Sequence, residues 1–353
     1  MIKKDKQIIN VAILVAIIFA IAGGGYGLYK IARVNNNVVQ DDQNSDDLNT
    51  EIVQEEQCEV RRDLDGVCTE EDDEIFTYSV MIDNHVDARP SVGLAKAGLI
   101  YETIVESPIT RFLAVFSSDD EIDKIGPVRS ARPFYIDFAS EFNGPYIHVG
   151  GSNDALEMLS LYKYDVNEFS RGNYFWRDGN RYQPHNVFSS SDLVNKIVKN
   201  SNWEFDDQFD SWIFKADVSE EERQENKIKI DINFKSYDFA VRWEYARESN
   251  DYIRGQGGRV HKDQSGDEIR AKNIAIMYTT SRVIDDYGRR EVKTIGEGES
   301  VVFQDGKAIE GRWRRTNKNS RTRFYSEDGE EVEFNVGTSW IEVVPTHFPE
   351  VVY

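Results

Sequence analysis

Apolar and polar positions follow three regimes along this chain. From Ile8 to Tyr29 an apolar run of 22 residues contains one strongly polar member, Asn10, and is preceded by Lys3, Lys4 and Lys6. As a helix rising about 1.5 Å per residue, such a run reaches roughly 30 Å, the depth of a hydrocarbon core. It predicts a cytoplasmic stub over 1–7 and a transmembrane signal-anchor over 8–34, with Tyr26 and Tyr29 at headgroup level. Ala20-Ile21-Ala22 also fits a signal-peptidase site. Anchored or cleaved, the rest of the chain is exported, so the expected location is the cell membrane with the bulk outside.

Residues 35–74 show no apolar period. They carry fifteen Asp and Glu against two arginines, Arg61 and Arg62, and predict a solvated, self-repelling extracytoplasmic linker. Cys58 and Cys68, the two cysteines of the chain, lie in this stretch, and in an oxidising compartment they are candidates for a disulfide closing a small loop.

From residue 75 onward the pattern is that of a folded body. Tyr78–Ile82, Phe112–Phe116 and Tyr146–Val149 are short apolar runs suited to buried strands, while helices fit Ser130–Phe142, Asn153–Leu161 and the stretch capped by Ser190. After a polar junction between Trp203 and Asn226 the period changes to strict alternation, as in 227–234 and 241–245. Short apolar runs then follow, broken by hairpin signals at Asp305-Gly306 and Asp328-Gly329. The fold class is therefore α+β. A mixed α/β sheet domain with flanking helices is expected over 75–215, and a mainly antiparallel β domain over 226–353.

Charge narrows the function classes. The net charge is −21, and the first 34 residues hold five basic groups and one acidic, so the exported part carries about −25. A field of that sign repels phosphate backbones and excludes nucleic acid as an expected partner.

Polar chemistry concentrates in blocks of the first half: 81–90 with Asp83, Asn84, His85 and Arg89; 101–111 with Glu102, Glu106 and Arg111; 125–133 with Arg129 and Arg132; 148–152 with His148; and 175–186 with His185 and Asn186. Asp83, His85 and His148 fall at strand ends, where sheets present side chains to clefts. The strings MIDNHVDARPSVGLAKAGLIYETIVESPITRFLAVF, IGPVRSARPFYIDFA, YIHVGGSNDAL and FWRDGNRYQPHNVFSS make the chain resemble the YerB-like (DUF3048) family of bacterial envelope proteins, from about Arg61 to the end. The resemblance implies an exported, membrane-associated protein with separate N- and C-terminal domains and no settled biochemical activity. Many members look like lipoproteins. With no cysteine beside the apolar run, the helix is expected to replace the lipid.

Two readings of the arginines stand side by side. Arg89, Arg111, Arg129 and Arg132 form a cleft that clamps a carboxylate or phosphate, or each pairs with Asp83, Glu102, Glu106 or Asp137 to fix loops. Imidazole and carboxylate together also suit metal or acid/base work, yet no His-Glu-x-x-His or i, i+4 histidine pair and no Gly-x-Ser-x-Gly occurs. No catalytic motif is recognised, and neither a metal nor a cofactor is expected. The expectation is a binding or interaction protein whose cleft, lined by Asp83, Asn84, His85, Arg89, Glu102, Arg111, Arg129, Arg132, His148, His185 and Asn186, contacts a cell-wall component or an envelope protein. A hydrolase acting on wall or surface polymer is the alternative.

Overall fold

The computed structural model describes residues 60–69, 75–205, 209–225, 228–347 and 350–353. The expected anchor at 8–34 and Cys58 lie outside them; Cys68 is disulfide-bonded. Among the described residues no helix is long and apolar enough to cross a membrane.

The framework is one ten-stranded sheet. Its first-half strands are β1 (Thr77–Asp83), β2 (Leu99–Glu106), β3 (Ile109–Ser117), β4 (Tyr146–His148) and β5 (Asp165–Asn167). A second sheet follows in the chain, with β6 (Lys229–Ile232), β7 (Val241–Ala246) and β8 (Asp251–Gln256) at its centre. The large sheet then resumes with β9 (Asn273–Thr279), β10 (Gly296–Gln304), β11 (Lys307–Arg315), β12 (Arg323–Ser326) and β13 (Ser339–Pro345). Its order is β12-β11-β10-β9-β13-β2-β3-β1-β4-β5, so both halves of the chain build one sheet. They meet where β13 pairs in parallel with β2, Ser339 opposite Leu99 through Glu342 opposite Glu102.

Most second-half pairs are antiparallel, as alternation predicts, but β13 also runs parallel to β9. β13 enters between β9 and β2 and satisfies both edges at once. The β10–β11 hairpin closes through Asp305-Gly306, both at positive φ (54° and 71°), as a tight two-residue turn requires.

Both faces of the sheet are covered. Even-numbered residues of β1–β3 such as Ile82, Ile104 and Phe112 join a core with Trp243 and Tyr252 of the second sheet and Val194 and Ile197 of α3 (Ser191–Asn200). Odd-numbered ones such as Met81, Tyr101 and Leu113 pack with α1 (Pro133–Ala139) and α2 (Asn153–Leu159). Pro133 opens α1 with its φ already helical, and the hydroxyls of Ser152 and Ser190 accept from Ala155 and Leu193 N–H to start α2 and α3.

The acidic stretch read as a linker is folded over 60–69. Val60–Arg61 pairs with Cys68–Thr69, Leu64 and Asp65 are buried, and Arg62 bridges Asp65 to Asp119 and Asp120. Charge density suggested solvation, but one apolar anchor and a guanidinium serving three carboxylates are enough to dock the hairpin.

Candidate functional site

Asp83 ends β1 opposite Arg111 of β3, and its side chain is buried. Its Oδ1 accepts the His85 N–H at 3.0 Å, and Oδ2 accepts from His185 Nδ1 at 2.7 Å. His185 arrives from a distant part of the chain because Val187 O accepts from Val128 N, while Val128 bridges to Ile82. The His85 ring stacks on the His185 ring with centroids 4.8 Å apart and planes 12° from parallel. Arg129 Nε sits 3.0 Å from Asp83 Oδ2, although its N–H meets no hydrogen-bond angle, so that contact is Coulombic. Burial works to raise the Asp83 carboxyl; the His185 hydrogen bond, the Arg111 charge, the His85 N–H and the Arg129 charge outweigh it and hold it at about 2.

Arg111 extends this cluster. It donates to Ser130 O at 2.8 Å and lies 3.9 Å from Glu106, whose Oε1 takes Arg132 Nε at 3.1 Å. Burial, then the Arg132 charge, brings Arg111 down to about 10 against the pull of Asp83 and Glu106.

The sheet separates these groups from a second polar cluster on its opposite face. There Glu102, fully buried, accepts from Thr110 Oγ1 at 2.7 Å and from Asn84 Nδ2 at 3.4 Å, while Arg89 Nε reaches Asn84 Oδ1 at 3.3 Å. The other Glu102 oxygen holds Arg254 Nη2 at 2.5 Å, and Arg254 Nη1 donates to His261 Nδ1 at 2.7 Å. Burial, followed by Arg254 and Arg89, pushes His261 well below the usual imidazole range, so it stays neutral and accepts. Glu342, across the strand pair from Glu102, accepts Trp243 Nε1 at 2.9 Å; its Oε2 has no partner among the described residues.

Burial, then the Glu102 charge, raises the Glu342 carboxyl well above the carboxylate range, only partly opposed by Arg254 and the Trp243 bond. The native state thus keeps a proton that the unfolded chain releases above about pH 4.3. That contribution to stability is complete below the unfolded pKa and is lost as pH rises toward the folded one, by at most about 1.4 kcal/mol per pH unit. Glu342→Gln keeps an acceptor for Trp243 and cannot ionise. Thermal melts of the variant should be flatter between about pH 5 and 8 than those of the parent; identical slopes would exclude a protonated Glu342.

The eleven candidates therefore do not share one pocket. Asp83, His85, His185, Arg111, Arg129 and Arg132 gather on the helix side or its edge; Asn84, Arg89 and Glu102 join the opposite cluster. His148 lies apart, its Nδ1 2.7 Å from Gly150 O and its Nε2 2.7 Å from Asp165 Oδ1, and Asn186 Oδ1 accepts from Arg177 at 3.1 Å. A cleft of about 330 Å³ opens beside the end of α1, lined by Ile136, Met158, Tyr162 and Lys318 among others, and none of the candidates borders it. Arg254, His261 and Glu342 escaped the sequence reading. A signal was present: Arg254 and Glu342 are charged residues at inward positions of strands whose neighbours are apolar.

Comparison with known proteins agrees with the resemblance. The N-terminal domain model of DUF3048, described as a protein of unknown function, matches residues 66–204, and the C-terminal domain model matches 230–341. The Bacillus subtilis (strain 168) protein named "Putative lipoprotein YerB" is 29% identical over 271 residues, covering 76% of this chain and 80% of its own. The crystal structure of YerB protein from Bacillus subtilis superposes with a TM-score of 0.72 at 28% identity, covering 81% of this chain and 96% of that one. This chain, through both its N- and C-terminal domains, belongs to the DUF3048 family.

Proposed function

We propose that this protein is an anchored binding protein of the bacterial cell envelope, which presents the face around Asp83, His185 and Arg129 to an acidic group on a cell-wall component or an envelope protein. Its similarity to a protein named as a lipoprotein supports a place outside the membrane; the apolar run 8–29 would serve where a lipid serves that relative. The observation that carries the binding reading is local charge. Among the described residues, Arg111, Arg129 and Arg132 face only Asp83 and Glu106 in their ion pairs, a surplus of one cation on a chain of net −21. Arg129 is the most exposed of the three, with 26% of its side chain accessible.

Sedimentation of the full-length protein with isolated cell walls tests this reading. Arg129→Ala should weaken association about fivefold, the scale of one partly exposed charge contact, and equal binding by parent and variant counts against it. A C-terminal alkaline phosphatase fusion checks the placement, since it is active only outside the cytoplasm. A hydrolytic role draws on the His185–Asp83 pair at 2.7 Å, an imidazole oriented by a carboxylate as in general-base sites. Soluble wall fragments released by the parent and not by Asp83→Asn would favour that second reading.

A further inference from the structure

His85, Asp87 and His185 each place one metal-ligating atom within 4.8 Å of the others. Their spacing in sequence matches no ligand motif, because His185 is brought in by the pairing of Val128 with both Ile82 and Val187. His85 Nδ1 lies 3.5 Å from Asp87 Oδ2. Two donors of a tetrahedral centre with bonds of about 2.0–2.1 Å stand about 3.4 Å apart, so this pair already has the required separation. His185 Nδ1 donates to Asp83 Oδ2 at 2.7 Å, which assigns the ring's lone pair to Nε2. A ligating histidine backed by an outer carboxylate has this arrangement.

Asp83 is itself held by the His85 N–H, so one carboxylate braces both the ring and the turn that carries the other two donors. The two rings are stacked face to face, 4.8 Å between centroids and 12° between planes, so the partly exposed His85 ring turns out of the stack for both lone pairs to meet one ion. His85 Nδ1 now accepts the Asp87 N–H at 3.2 Å, a long contact that a cation would replace. Asp87, 72% exposed, is already the close partner of His85 at 3.5 Å, and all three donor atoms lie within 4.8 Å of one another. Two imidazoles and one carboxylate favour first-row transition ions over magnesium or calcium.

We propose that His85, Asp87 and His185 bind one divalent transition-metal ion of the zinc class, with Asp83 as the positioning carboxylate behind His185. Three protein donors leave coordination positions open to water or to an acidic ligand group. The site goes beyond the binding role above and stands or falls separately from it.

Full-length protein in detergent, stripped with EDTA, is titrated with zinc by calorimetry and with cobalt by visible absorption. One equivalent is expected to bind, with the cobalt bands of an imidazole-ligated centre, and excess magnesium should not displace it. His85→Ala and Asp87→Asn, both at accessible positions, should melt like the parent without metal and bind zinc at least about tenfold more weakly; Asp83→Asn should lose roughly 10- to 100-fold. Unchanged zinc affinity in His85→Ala and Asp87→Asn places any bound zinc elsewhere on this acidic chain and overturns the proposal. So does the lack of a stoichiometric equivalent at roughly 100 µM zinc.

Discussion

Arg254→Ala is expected to cost about 3–5 kcal/mol, a large fraction of a net stability of about 5–15 kcal/mol. The guanidinium is fully buried, pairs with Glu102 at 2.5 Å and lies 4.7 Å from the centre of the Trp340 ring, with the Phe112 and Trp243 rings at 5.5 and 5.7 Å. Since Glu342 is held protonated, Glu102 and Arg254 form a neutral pair in which each charge offsets the other. Removal of Arg254 strands the Glu102 carboxylate and empties a volume between three aromatic rings, so desolvation and cavity costs add. The double variant Glu102→Gln with Arg254→Met should recover a large part of the loss, because no lone charge then remains buried. Chemical denaturation compares the three proteins. A loss below about 1 kcal/mol for Arg254→Ala would show that water reaches the pair and that the two sheets do not seal it.

Glu141→Ala is expected to destabilise by a similar amount, about 3–5 kcal/mol, through the opposite imbalance. Glu141, just beyond α1, is buried and takes Arg321 Nη1 at 3.1 Å, Thr322 N–H at 3.1 Å, Thr322 Oγ1 at 2.6 Å and Tyr101 O–H at 2.9 Å; Arg315 Nε lies 3.4 Å away. One carboxylate thus serves two buried guanidiniums, and Arg321 is sandwiched over Trp212 at 3.9 Å. Without it, two cations repel each other in a dry site and four donors lose their acceptor. Glu141→Gln, which keeps the shape but not the charge, should fall between alanine and the parent. An ordering in which glutamine is as costly as alanine would show that charge, not hydrogen bonding, sets the stability here.

Both clusters join the two halves of the chain, and this is where sequence reading reached its limit. The strands at Tyr78–Ile82, Phe112–Phe116 and 241–245, the Ser190 cap of α3, and the Asp305-Gly306 hairpin were all legible. Each depends on neighbours a few residues apart. Leu99–Glu106 drew attention for its Glu102 and Glu106, so its role as a central strand was overlooked. Three glycines in Gly255-Gln256-Gly257-Gly258 signal a turn just after Arg254. The turn is present, at positive φ for both Gly257 and Gly258, but Arg254 lies on the inward side of β8. Of the candidate residues, Asp83, His85 and His185 come together, whereas Glu102 is turned to the other face by the one-residue alternation of its strand.

By itself the sequence determined the type of most elements, the family, and which polar blocks carry unusual chemistry. These follow from local periodicity, capping residues and turn residues, all encoded within a span of a few positions. Tertiary structure alone decided that β13 inserts between β9 and β2, which sets Glu342 beside Glu102 and completes a single sheet from both halves. It also decided that His185 meets Asp83 across 102 residues. Strand pairing is chosen by burial of whole faces, and a face's partner is not written in the alternation that creates it.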